Sequence, residues 1–219
     1  MDAYENIKSR KSIRGFLPKL ISKDVFERVI EVAKNCPSYT NTQPWEIVVV
    51  SGEKKEELSK KLLKLAQIHT PTSPDLPLPT CWPSEMKKRT RDHGVRRLNT
   101  LGIERSNKEG IERLRLMNFR FYNAPYAVFL FMDGSLGDWS LFDMGLFTQN
   151  FVLAAHSHGI GSCIQASVVV YSAEIKEFLN VPKEKKLVAC ISIGYPDPEN
   201  KINEYRSTKK KIDEFCLWY

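Results

Sequence analysis

Three short segments bring together side chains suited to binding or catalysis. Arg10-Lys11-Ser12-Ile13-Arg14 places two guanidiniums, an ammonium and a hydroxyl within five residues. Planar Arg forks pair bidentately with phosphate oxygens, so this is the donor set that a phosphate ester requires. Pro37-Ser38-Tyr39-Thr40-Asn41-Thr42-Gln43-Pro44-Trp45 supplies side-chain amides where a heterocycle has edges to read. The third segment, Gly159-Ile160-Gly161-Ser162-Cys163-Ile164-Gln165-Ala166-Ser167, has too few glycines for a dinucleotide fingerprint: the third place is Ile164, and a helical pattern precedes it. Each segment alone has a plain structural explanation, either a capped helix end with solvated arginines or a polar turn that satisfies its own backbone.

Together the segments resemble the signature of the nitroreductase family, FMN enzymes that open with Arg-x-Ser-x-Arg and continue with Pro-Ser-x-x-Asn-x-Gln-Pro-Trp. The third segment is similar to the family's Gly-x-Gly-x-Cys-x-Gln-x-x, with Ile164 where proline is often found. Asp143, Gly145, Gln149 and Asn150 match its acidic-Gly-x-x-x-Gln-Asn pattern and are expected to serve in packing and support. The resemblance runs from Arg10 to Arg206, with the motifs in family order.

It implies that Arg10 and Ser12 contact the FMN phosphate or ribityl chain, that Lys11 sits near the pyrimidine edge and that Arg14 supports the phosphate. Arg206 would close the phosphate site, following the strand that ends at Gly194. Asn41, with Gln43 beside it, would lie against the flavin, while Pro37 and Ser38 line the ring from a second subunit. The backbone around Cys163, Ile164, Gln165 and Ala166 would face the ring, and an amide near Ala166 would donate to N5, where a donor stabilises the charge that develops as hydride arrives. Trp45 is expected in the core.

The implied fold is α+β, an α-β-α sandwich with a central, mostly antiparallel sheet flanked by helices, in an intertwined homodimer with FMN at the interface. The implied reaction is ping-pong: NADH or NADPH passes hydride to N5 and leaves, and a nitroaromatic, quinone or similar electrophile is reduced in the same cavity. No side-chain acid or base is assigned. Enone reduction, reductive dehalogenation and flavin fragmentation on the same fold stay open.

Composition sets the frame. With 219 residues, 42% apolar and 27% charged, the chain reads as one ordinary globular domain, and disordered, collagenous and disulfide-framework classes are set aside. The N-terminus lacks a secretory pattern and no long apolar run occurs, so a cytoplasmic protein without a membrane span is expected. Five cysteines without metal-ligand or C-x-x-C spacing read as reduced thiols, Cys190 in the core, and no metal site is expected. His156 and His158, two apart on a helix, cannot share a face. Gly134-Ser135-Leu136-Gly137 is not a hydrolase elbow. The net charge of +7 raises a nucleic-acid reading through Lys87 to Arg97, but that run looks like a solvated helix face, and no nucleic-acid partner is expected.

These segments need elements to hold them. A short helix over 2–9 would deliver Arg10, and a second, capped by Ser22, would stop before Pro37. Strands are expected at 46–50, 126–132 and 187–193, and helices at 54–67, 140–156 and 172–179. The helix at 140–156 is apolar almost all round, so it should be buried on most sides. Five prolines between Pro71 and Pro83 exclude regular structure. That stretch opens a lid or cavity-wall insertion at about 68–118, with Trp82 and Met86 as apolar contacts and a helical part interrupted near Gly94 and Gly110. The tail ends in Phe215-Cys216-Leu217-Trp218-Tyr219, apolar enough to need a partner.

Overall fold

Tyr126–Asp133 (β2) is the middle of the molecule because both of its faces are apolar. Alternation along a strand sends Val128, Leu130 and Met132 to one side and Ala127, Phe129 and Phe131 to the other, and all six are buried. A strand of that kind requires a layer on each face. In the computed structural model, which describes residues 2–219, it gets both.

Glu46–Ser51 (β1), β2, Gly161–Gln165 (β3) and Lys185–Gly194 (β4) form one sheet in the order β1-β2-β4-β3, antiparallel throughout. On one face lie Lys23–Ala33 (α2) and Asp138–Ser157 (α6), which bring Val29, Ala33, Phe147 and Phe151 against Val128, Leu130 and Ile191. The other face is covered by Gly52–Gln67 (α3) and Ser172–Leu179 (α7) through Leu58, Leu62 and Ile175. The result is the expected α+β sandwich. Ala3–Ser9 (α1), Ser84–Thr100 (α4) and Lys108–Met117 (α5) lie outside these layers. Among the described residues no helix is long and apolar enough to cross a membrane.

Two local expectations change. β3 was not among the strands read from sequence, because five residues flanked by glycine and carrying the polar Ser162 and Gln165 show no apolar run. The helical stretch does not break near Gly94, through which α4 passes; its interruption lies just before Gly110, which stands in the first turn of α5, and Gly102 turns there with φ +64°. Trp82 and Met86 are exposed.

The proline-rich stretch is tied down at Asp75. Its Oδ1 accepts from the buried Lys176 Nζ at 2.8 Å and its Oδ2 from the Leu187 amide at 2.8 Å. Lys176 also donates to the carbonyls of Lys183 and Lys185. Removing one partner of a mostly buried pair leaves an uncompensated charge, a cost of about 3–5 kcal/mol. Lys176→Met should therefore lower the unfolding free energy by about 3 kcal/mol in a denaturant titration and speed proteolysis between Pro71 and Pro83. An unchanged midpoint would refute this anchoring.

Candidate functional site

The segment after α1 is laid along the edge strand. Ile13 N–H donates to the Ser162 carbonyl at 2.9 Å, and Ser12 forms a parallel bridge with Ser162. Gly161 makes this approach possible, since a Cβ there would stand 2.7 Å from Ile13 Cγ1. Asn203 then fixes the next turn. Its buried Oδ1 accepts from the amides of Arg14 (2.8 Å) and Gly15 (3.1 Å), and its Nδ2 donates to the carbonyls of Gly15 (2.8 Å) and Asp197 (3.0 Å). Arg206, three residues on, is thereby brought to the Arg10 segment.

The outcome is a cavity of about 530 Å³ lined by Lys8, Arg10, Lys11, Arg14, Arg206 and Lys209, together with Ser12, His93, Gln149 and Tyr205, and by no carboxylate. Among the described residues no ion pair uses Arg10, Lys11, Arg14 or Arg206. Burial is the main influence lowering the Arg10 pKa; Cys163 opposes it and Arg206 adds to it. Cations gathered without counter-charges, with Arg10, Lys11 and Arg14 partly buried and Lys8, Arg206 and Lys209 exposed, are the complement of a polyanionic group such as a phosphate ester.

Arg14 also lines a second cavity of about 430 Å³, whose floor is Cys163-Ile164-Gln165-Ala166-Ser167 and whose wall comes from α4 and α5. Ile164 and Ala166 are exposed there. Gln165 is not: its Oε1 accepts from Ser192 Oγ and its Nε2 donates to the Asn118 carbonyl at 3.0 Å, so its side chain holds the strand end in place. Burial pushes the Cys163 thiol up, against the opposing pull of Arg14, Arg97 and Arg10. Gly194 lines neither cavity; it packs where a Cβ would come 2.5 Å from Pro125 Cδ.

The Pro37–Trp45 loop stands apart. A tight turn at Tyr39–Asn41 puts Thr40 (φ 48°), Asn41 (φ 60°) and Gln43 (φ 49°) in the left-handed region. Each such residue costs about 1–3 kcal/mol and persists only where its surroundings enforce it. Here Asp143 Oδ2 accepts from the Tyr39 amide at 3.0 Å, and Ser38 Oγ from the Gln43 amide at 3.0 Å. Trp45 stacks on Phe147 with centroids 5.0 Å apart, at the core. Pro37, Ser38, Asn41 and Gln43 line neither cavity of their own chain. Tyr39 instead stacks on the exposed Trp139 at the start of α6.

Some site residues were assigned another role or lacked a sequence signal. Gln149, a motif residue expected in packing, is exposed and lines the clamp. His93 reaches it from α4, where its Nδ1 lies 2.8 Å from Tyr205 Oη. Within the basic run, Lys87, Lys88 and Arg91 are exposed, whereas Arg97 turns to the second cavity. Helical spacing from Gly94 to Arg97 and Leu98 could have indicated that shared face.

Two histidines report the charge of the clamp. Burial, then Arg97, Arg14, Arg96 and Lys209, lower the pKa of His93; burial, then Arg10 and Arg206, lower that of His156. The folded chain thus binds these protons less readily than the unfolded one. Their contribution to stability is present above the ordinary histidine value of about 6.5 and is lost as pH falls from there through the folded values. A bound dianion should offset the cations, so millimolar sulfate at constant ionic strength should raise both pKa values in an NMR titration. Values unmoved by sulfate would mean that the cavity does not hold anions.

The nitroreductase family model matches residues 7–195. A 4-nitrobenzoate reductase of Pseudomonas putida is 32% identical, covering 95% of this chain and 92% of the relative. A nitrobenzene nitroreductase of Ectopseudomonas oleovorans is 30% identical, with coverage of 97% and 94%. The crystal structure of the FMN-dependent nitroreductase NfnB from Mycobacterium smegmatis, in complex with NADPH, superposes with a TM-score of 0.94 at 30% identity over 99% of this chain and 97% of that one. Motif order, sheet topology and these similarities agree, and the chain belongs to the nitroreductase family.

Proposed function

We propose that this chain is an FMN-dependent oxidoreductase that passes hydride from NADH or NADPH to nitroaromatic, quinone or similar electrophilic acceptors. The observation that carries the reading is the clamp: six cations and Ser12 around one cavity, without a carboxylate, joined through Arg14 to a second cavity floored by Ile164 and Ala166. The residues present suit the group. Arg10, Ser12 and Arg206 would hold the phosphate with Arg14 in support, Lys11 would stand toward the pyrimidine edge of the ring, and the Ala166 amide would donate to N5. When bound, FMN supplies hydride acceptance and donation; the protein supplies orientation and charge.

Pro37, Ser38, Asn41 and Gln43 fit this reading through a homodimer in which a second copy presents its strained loop to the clamp. Support comes from the apolar surface each chain leaves uncovered: Tyr39, Trp139 and Phe142 near the loop, and Phe215, Leu217, Trp218 and Tyr219 in the tail. The insertion over 68–118 serves as a cavity wall, with α4 and α5 closing the second cavity. Dependence on a nicotinamide reductant and five unpaired thiols suit the cytoplasm.

The reading is tested by the visible spectrum of the purified protein with and without NADPH under anaerobic conditions. Flavin bands that bleach are expected; a colourless protein that takes up no FMN would overturn it. Arg206→Ala should weaken FMN binding about 10- to 100-fold, the loss of one or two charge-assisted hydrogen bonds. Unchanged flavin content after dialysis would remove Arg206 from the clamp. Deletion of Phe215–Tyr219 should shift sedimentation toward the 25.2 kDa monomer, and an unaltered profile would show that the tail does not hold the dimer.

A further inference from the structure

The second cavity has a mixed lining. Ile111 and Leu114 of α5, Leu98 of α4 and the exposed Ile164 present apolar surface, and the Tyr122 ring adds an aromatic face. The same lining holds three guanidiniums, Arg14, Arg97 and Arg115, and no carboxylate. Their situations differ. Arg115 is bound to both oxygens of Glu112, at 2.7 and 2.8 Å, and to the Ala66 carbonyl at 3.0 Å. Arg14 is shared with the clamp and stacks on Tyr122, 5.9 Å from its ring centre.

Arg97 has neither attachment. Among the described residues no side-chain hydrogen bond or ion pair reaches it, and its Nε, like that of Arg14, is buried without a partner. A buried N–H left unpaired is costly, because it gives up water without replacement. Gly94 precedes it by one helical turn on the same face, and a Cβ on Gly94 would meet nothing within 4 Å, so open space lies beside the guanidinium.

The geometry points to Arg97 as the residue that selects acceptors bearing an anionic group: a nitroaromatic carboxylate whose ring lies on the apolar wall and whose carboxylate pairs with this guanidinium. The inference rests on the flavin reading and names the substrate class of that site. Family membership does not decide the matter, since relatives at similar identity are named for nitrobenzoate and for uncharged nitrobenzene. A free fork-shaped donor in a cavity decides it, because a planar carboxylate accepts two parallel N–H bonds that an ester or an unsubstituted ring cannot.

The test uses the FMN-saturated enzyme with NADPH and two acceptors of one skeleton, 4-nitrobenzoate and its methyl ester, with a quinone as a charge-free reference. The native enzyme should favour the carboxylate. Arg97→Met should lower kcat/KM for 4-nitrobenzoate about 10- to 100-fold, mainly through KM, while the ester and the quinone change less than about threefold and flavin content stays constant. Arg97→Lys should recover part of the loss. Benzoate, which cannot be reduced, should bind the oxidised native enzyme by calorimetry and bind the methionine variant more weakly. Equal losses on both acceptors, a fall in flavin content, or absence of carboxylate preference in the native enzyme would each overturn the proposal. A native enzyme that reduces the quinone without that preference would sink this inference alone, whereas one that neither binds FMN nor reduces any acceptor would sink the underlying reading as well.

Discussion

The main-chain bond from Ile13 to Ser162, made against a glycine, is the contact on which the rest of the site depends. It joins two segments that are remote in sequence, the arginine clamp and the edge strand whose end floors the second cavity. Without it Arg10 and Arg14 would be solvated side chains beyond a short helix. With it they become two sides of a cavity, because the strand is itself held rigidly by its pairing with β4. A hydrogen bond of this kind is worth only about 1 kcal/mol net. Its importance is positional: guanidiniums on flexible stems gain from a phosphate only if their backbone is already placed.

Placement concentrates like charge, which costs stability in the empty protein. The structure carries that cost on the sandwich, whose two apolar layers meet on β2, and on neutral polar ties such as Asn203 that bring the clamp and Arg206 together without adding a carboxylate. An acid in the position of Asn203 would neutralise the field that the cavity presents to a ligand. The lowered pKa values of His93 and His156 have the same origin, burial first and then the surrounding cations.

Strain is handled by a parallel device on another surface. Thr40, Asn41 and Gln43 hold left-handed conformations because the Asp143 carboxylate and the Ser38 hydroxyl take up the amides of the turn. Asp143 projects from α6, which places Met144, Phe147 and Phe151 in the core, so the loop inherits the rigidity of the core. Its residues line neither cavity of their own chain.

Much of this was legible in the residues themselves. The apolar runs at 126–132 and 187–193 identified buried strands, the Ser22 cap and the apolar spacing after it marked α2, and Arg10, Ser12 and Arg14 offered a phosphate's donor set whose meaning came from the motifs that accompany it. β3 escaped because its pairing is supplied by β4 and not by a pattern of its own. His93, Tyr205 and Asn203 escaped for a related reason: each is an ordinary polar residue whose meaning comes from neighbours more than a hundred positions away or on a separate element. Fold class, cation set and motif order follow from the residues along the chain, because periodicity and side-chain chemistry are local properties. Which cations share a cavity, which carboxylates are kept out of it, and the unpaired state of Arg97 there follow from packing, because proximity across elements is written in no single segment.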